Sequence, residues 1–117
     1  MTYQTFALLL LTLSPSLHAS DFGDPELGKM KSPSCVFCHS PTGETSNTDY
    51  PKLSGQDSTY LYNTMKAYQS GDRQGDYAEM MRAQLSKLDD QDLRDIAAFY
   101  ASQHYRLPPL LEQSSTE

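Results

Sequence analysis

Residues 35–39 read Cys-Val-Phe-Cys-His, and both cysteines of the 117-residue chain lie in this pentapeptide. Two thiols three residues apart, followed at once by an imidazole, form the C-x-x-C-H attachment sequence for c-type haem. The spacing has a physical reason. Each sulfur can form a thioether to one vinyl group of the same porphyrin, and the next residue then holds its imidazole under the iron. Cys35 and Cys38 are the expected thioether residues and His39 the expected proximal iron ligand. Three other chemistries use the same residue types. A thioredoxin-like redox pair belongs in a βαβ setting, and the chain shows no strand pattern. A zinc site needs a second ligand pair, and only His18 and His104 remain outside the motif. A disulfide closing so small a loop is a poor staple. Haem attachment outweighs all three.

Composition narrows the setting. With 9 Lys+Arg against 15 Asp+Glu the formal charge is −6, which excludes a nucleic-acid binder, because phosphate neutralisation needs a basic face. A hydrophobic share of 38% excludes the disordered class, and the length allows one small domain. Such a domain gains from a staple or a buried cofactor. A porphyrin supplies a large apolar plane for a few helices and a loop to close around, so the apo chain is expected to be largely unfolded.

The N-terminal stretch reads as a separate element. Phe6–Leu13 is an apolar run broken only by Thr12; Ser14-Pro15-Ser16 ends it, and Ala19 precedes Ser20. This is the layout of a secretory signal peptide, too short for a span of about 20 residues. Its one departure is that residues 1–19 contain no Lys or Arg. A buried N-terminal helix is the weaker reading, since so small a domain has nothing to cover an all-apolar segment. Cleavage is expected after Ala19, leaving residues 20–117 as one domain in an oxidising compartment. Retention of the segment as an anchor is the alternative.

Helical signals dominate the rest. Asp24-Pro25-Glu26 opens a short helix that runs towards Lys31 and is cut or kinked by Pro33. From Ser40 to Gly55 the Pro, Thr, Ser, Asn and Gly content predicts a long wrapping loop. A helix fits Ser58 to Ser70, with Asp57 or Ser58 as cap, Leu61, Met65 and Tyr68 as its stripe, and Gly71 as its stop. A shorter helix is expected from Asp76, with Asp76 and Glu79 as a capping-box-like pair. The last helix takes its start from Asp89 and Asp92 and its apolar face from Leu93, Ile96, Ala97 and Tyr100, with Phe99 beside it. Pro108 and Pro109 forbid its continuation, and Glu112–Glu117 is a polar tail. The fold class is all-α: three to five short helices and a long loop around one haem.

The motif and its surroundings resemble class I c-type cytochromes, and are similar to the cytochrome c4 and cytochrome c553 group of bacterial electron carriers. The resemblance is carried by Gly28-Lys29 before the haem motif and Pro51-Lys52-Leu53-Ser54-Gly55-Gln56 after it. It continues through Tyr60-Leu61, Ala67-Tyr68-Gln69-Ser70-Gly71-Asp72-Arg73, Met80-Met81, Leu88–Leu93 and Ile96-Ala97-Ala98-Phe99-Tyr100. Three departures stand out. The family commonly has Gly directly after the haem His, where this chain has Ser40, a small residue expected to fit with slight strain. Pro33 interrupts a helix that normally continues into the motif. There is one haem motif, so the chain resembles half of a two-haem cytochrome.

The candidates for the sixth iron ligand are Met30, Met65, Met80, Met81 and His104. Met30 is too near the cysteines to cross to the other face, Met65 belongs to a helix stripe, and His104 is expected in solvent. Met80 and Met81 stay open on the residues alone. The resemblance favours Met81, because the family's ligand stands seven residues before the Leu that precedes the last helix, here Leu88. It also implies that Pro51, twelve residues after His39, turns its carbonyl to the imidazole Nδ1–H. Arg73 is a candidate partner of a haem propionate, against the blander reading of a solvated loop Arg. Tyr60, Tyr68, Phe99 and Tyr100 are first of all core residues.

What the resemblance implies is a monomeric periplasmic one-electron carrier with His/Met ligation, not an enzyme. Its donor and acceptor would be redox proteins with a basic docking face, such as a membrane oxidase or dehydrogenase complex. The alternative is a haem-based sensor or ligand-binding domain with a displaceable Met.

Overall fold

The computed structural model describes residues 22–103. The signal segment, His104 and the polar tail lie outside the described residues. Five helices follow in order: α1 Pro25–Lys31, α2 Val36–His39, α3 Ser58–Ser70, α4 Ala78–Leu85 and α5 Asp90–Ala101. Among the described residues there is no strand.

The helix ends follow from local chemistry. The Asp24 carboxylate accepts the Glu26 and Leu27 N–H groups at 2.8 and 3.1 Å, Pro25 takes the first helical position, and α1 stops before Pro33. Asp57 caps α3 through the Tyr60 N–H at 2.7 Å, and Gly71 ends it at φ 84°. Asp89 and Asp92 form a reciprocal capping box at α5. One expectation fails. α4 starts at Ala78, with Tyr77 as N-cap and no side-chain capping bond. Glu79 instead accepts from Arg82 Nη1 at 2.6 Å, so the pair with Asp76 does not form.

α1 and α5 pack at close range because Gly28 has no side chain. A Cβ there would stand 1.9 Å from the Asp95 carbonyl oxygen and 2.8 Å from Phe99 Cβ. The crossing is locked by a buried carboxylate: Asp95 accepts the Asp24 N–H at 2.8 Å, Lys31 Nζ at 2.6 Å and Gln91 Nε2 at 2.9 Å. α3 packs on the other side of α5, with Leu61 meeting Ile96, Ala97, Phe99 and Tyr100 in the core. α4 hangs from α3. Gln69 Nε2 donates to the Leu85 and Leu88 carbonyls, and Arg82 Nε to the Tyr68 carbonyl.

The segment between α2 and α3 is the expected wrapping loop. The Gly43 carbonyl accepts the Leu53 N–H at 2.9 Å, and the Gly55 N–H reaches the Tyr100 carbonyl at 3.1 Å. Those bonds close the loop on itself and fasten it to α5.

Candidate haem site

α2 is a single helical turn that begins in the cysteine motif. Ser32 positions it: the fully buried side chain donates to the Gly28 carbonyl at 2.6 Å, and its own carbonyl accepts the Cys35 N–H at 2.9 Å. Positions three and four apart on a helix share a face, so Cys35, Cys38 and His39 turn to one side. All three line one cavity of about 370 Å³, while Phe37 between them is 86% exposed. Ser40 then leaves the turn at φ 64°, in the left-handed region that favours Gly, as the family's usual Gly at this position implied. Its hydroxyl accepts the Thr42 and Glu44 N–H groups, a local compensation a glycine could not make.

His39 is buried, and its Nδ1 lies 2.9 Å from the Pro51 carbonyl oxygen. A carbonyl can only accept, so Nδ1 carries a proton, and in the neutral ring that tautomer leaves the Nε2 lone pair free. Tyr50, the preceding residue, sets its ring against the imidazole with centroids 6.4 Å apart. Burial pushes the Cys35 thiol above its ordinary pKa in the free chain.

The cavity walls are apolar and come from three helices: Leu61 and Met65 of α3, Leu85 of α4, and Ile96 and Ala97 of α5. Met80 and Met81 both line it, Met80 being 37% exposed and Met81 half-buried. Met30 is 68% exposed and is not among the lining residues. Arg73 lines the cavity too, its guanidinium 5.2 Å over the Tyr68 ring. The Tyr68 and Tyr60 hydroxyls hold it above the ordinary guanidinium pKa. Thus one concave site brings together Cys35, Cys38, His39, Pro51, Arg73 and Met81.

The donor set fits a porphyrin: two thiols and an imidazole on one turn, thioethers from another helix, and apolar walls. A family model described as Cytochrome c matches residues 28–103. The chain belongs to the cytochrome c family. It is similar to cytochrome c-554(548) of Halomonas halodenitrificans, 43% identical over 81 residues, covering 69% of this chain and 98% of that protein. It is also similar to cytochrome c4 of Pseudomonas aeruginosa, 40% identical over 95 residues, covering 81% of this chain but 46% of that protein. The chain therefore spans about half the length of this c4 relative. Among solved structures, a thiosulfate dehydrogenase from Marichromatium purpuratum superposes with a TM-score of 0.66 at 29% identity, covering 74% of this chain and 20% of the other. The protein is thus a class I c-type cytochrome of the c4 group, a haem-based electron carrier with a covalently bound c-type haem.

Ser32, Tyr50 and Tyr77 were not singled out by the sequence pattern. Ser32 is masked by the Ser-Pro-Ser run that reads as a helix stop. Tyr50 had one usable signal, its place directly before Pro51.

Proposed function

We propose that this cytochrome is a periplasmic one-electron carrier in which Cys35 and Cys38 hold the haem, His39 and Met81 ligate its iron, and residues 1–19 direct export. The observation that carries this reading is the single cavity that takes His39 from α2 and Met81 from α4. The haem, when bound, supplies a one-electron iron couple.

The chain's own residues tune and guard that couple. Pro51 fixes the His39 tautomer and makes the imidazole a better donor through its Nδ1–H bond. A neutral Met81 thioether offers no charge to the oxidised state, so it favours the reduced one and raises the potential. His39 and Met81, both on helical segments, would hold the iron from two sides and leave no open position for an external ligand. The apolar walls exclude water and reinforce both effects. Arg73 stands at the lining, where its fork can pair with a propionate. No described helix is long and apolar enough to cross a membrane. The likeness to a segment of a thiosulfate dehydrogenase supports a redox enzyme as partner.

The test is the visible spectrum and the mass of the exported protein. A low-spin form with the weak red-end sulfur-to-iron band, haem retained under denaturing conditions, and a mature chain starting at Ser20 are expected. Cys35→Ala and Cys38→Ala each remove one thioether link, and the double variant should carry no covalent haem. Haem that dissociates from the wild-type protein on denaturation would overturn the attachment reading.

A further inference from the structure

The rings of Tyr50 and Tyr77, far apart in sequence, meet at 5.7 Å with planes inclined by 52°. Tyr50 belongs to the proximal side: its ring also sits on His39, and Pro51 beside it supplies the carbonyl to His39 Nδ1. Tyr77 belongs to the other ligand segment. It is the N-cap residue of α4, its carbonyl accepts the Met81 N–H at 2.9 Å, and its side chain makes no capping bond. The two ends of α4 are therefore held differently. Polar bonds from Gln69 and Arg82 tie the later turns to α3, whereas the Tyr50 contact ties the start to the wrapping loop. Tyr77 is 44% exposed and Tyr50 half-buried, so the contact sits where loop and helix meet at the rim.

We infer that Tyr50 and Tyr77 form an aromatic clasp that positions the methionine-bearing turn of α4 against the segment holding His39, and so sets how firmly Met81 stays on the iron. The inference rests on the His39/Met81 ligation reading. Opening the clasp frees the first turn of α4 and raises the fraction of molecules with Met81 detached. An external ligand binds only that fraction, so its apparent affinity rises in proportion. Tyr50 and Tyr77 are positioning residues, outside the ligand set.

The experiment is a titration of ferric holoprotein with imidazole, followed by loss of the sulfur-to-iron band. Tyr77→Ala should bind imidazole roughly two- to tenfold more tightly than wild type, the fold-change that matches the energy of an aromatic pair. Tyr77→Phe keeps the ring and should match wild type. Amide exchange should accelerate in Ala78–Arg82 of Tyr77→Ala and stay unchanged in α5, which separates a local release from global loss of stability. Equal imidazole affinity in Tyr77→Ala and wild type overturns the clasp while leaving the ligation reading intact. A wild-type protein without the sulfur band overturns the ligation reading itself, before any tyrosine is changed.

Discussion

Met80 and Met81 lie side by side on α4, both line the cavity, and adjacent helical residues point about 100° apart, the angle set by 3.6 residues per turn. Both cannot serve one iron. Met81 is the less exposed of the two and matches the family register from Leu88. Met81→Ala should remove the sulfur-to-iron band and lower the potential by a sizeable part of the ~0.8 V over which axial ligands act. Met80→Ala should keep the band and cost no more than about 2 kcal/mol, because its side chain is partly in solvent. The opposite pattern in the two spectra would move the ligand to Met80. Cys35, Cys38 and His39 could be proposed from the sequence because their chemistry is local, five consecutive residues on one turn. Met81 could be favoured only through the family register, since nothing in Met80-Met81 itself separates the two.

At the level of elements, the α1–α5 crossing depends on Asp95 and Lys31. Burial works to raise the Asp95 pKa, but the Asp24 N–H, Lys31 and Gln91 more than reverse it, so its carboxylate is held below the ordinary value. A depressed carboxylate pKa stabilises the fold above the unfolded-state value of about 3.9 and loses that contribution as pH falls through the folded-state value. Lys31→Ala leaves the buried anion without its counter-charge and should cost about 3 kcal/mol at neutral pH. That deficit should shrink below about pH 3.9, where unfolding takes up the proton. Denaturation midpoints across pH check it; a deficit constant down to pH 3 would refute the assignment. This clamp was invisible in the sequence, because Lys31 and Asp95 are separated by 64 positions. α3 and α5 were readable for the opposite reason: Asp57, Gly71, Asp89 and Asp92 act on their own neighbours. The start of α4 was misread because Asp76 and Glu79 have the right spacing for a capping box, while Arg82, one turn on, takes Glu79 for itself.

Taken whole, the chain carries a formal net charge of −6. Reduction of the ferric holoprotein by a cationic reductant such as hexaammineruthenium(II) should therefore slow as salt rises, the screening length falling from about 30 Å at 0.01 M to about 8 Å at 0.15 M. A rate indifferent to salt would remove charge steering from the account. The proposed His39/Met81 pair fills both axial positions from the protein, which makes the site a carrier and not a sensor. Adding carbon monoxide to the reduced holoprotein tests it most directly. The expected result is an unchanged visible spectrum, because His39 and Met81 leave the gas no coordination position. Ready formation of a carbon monoxide adduct would contradict it and point to a displaceable methionine.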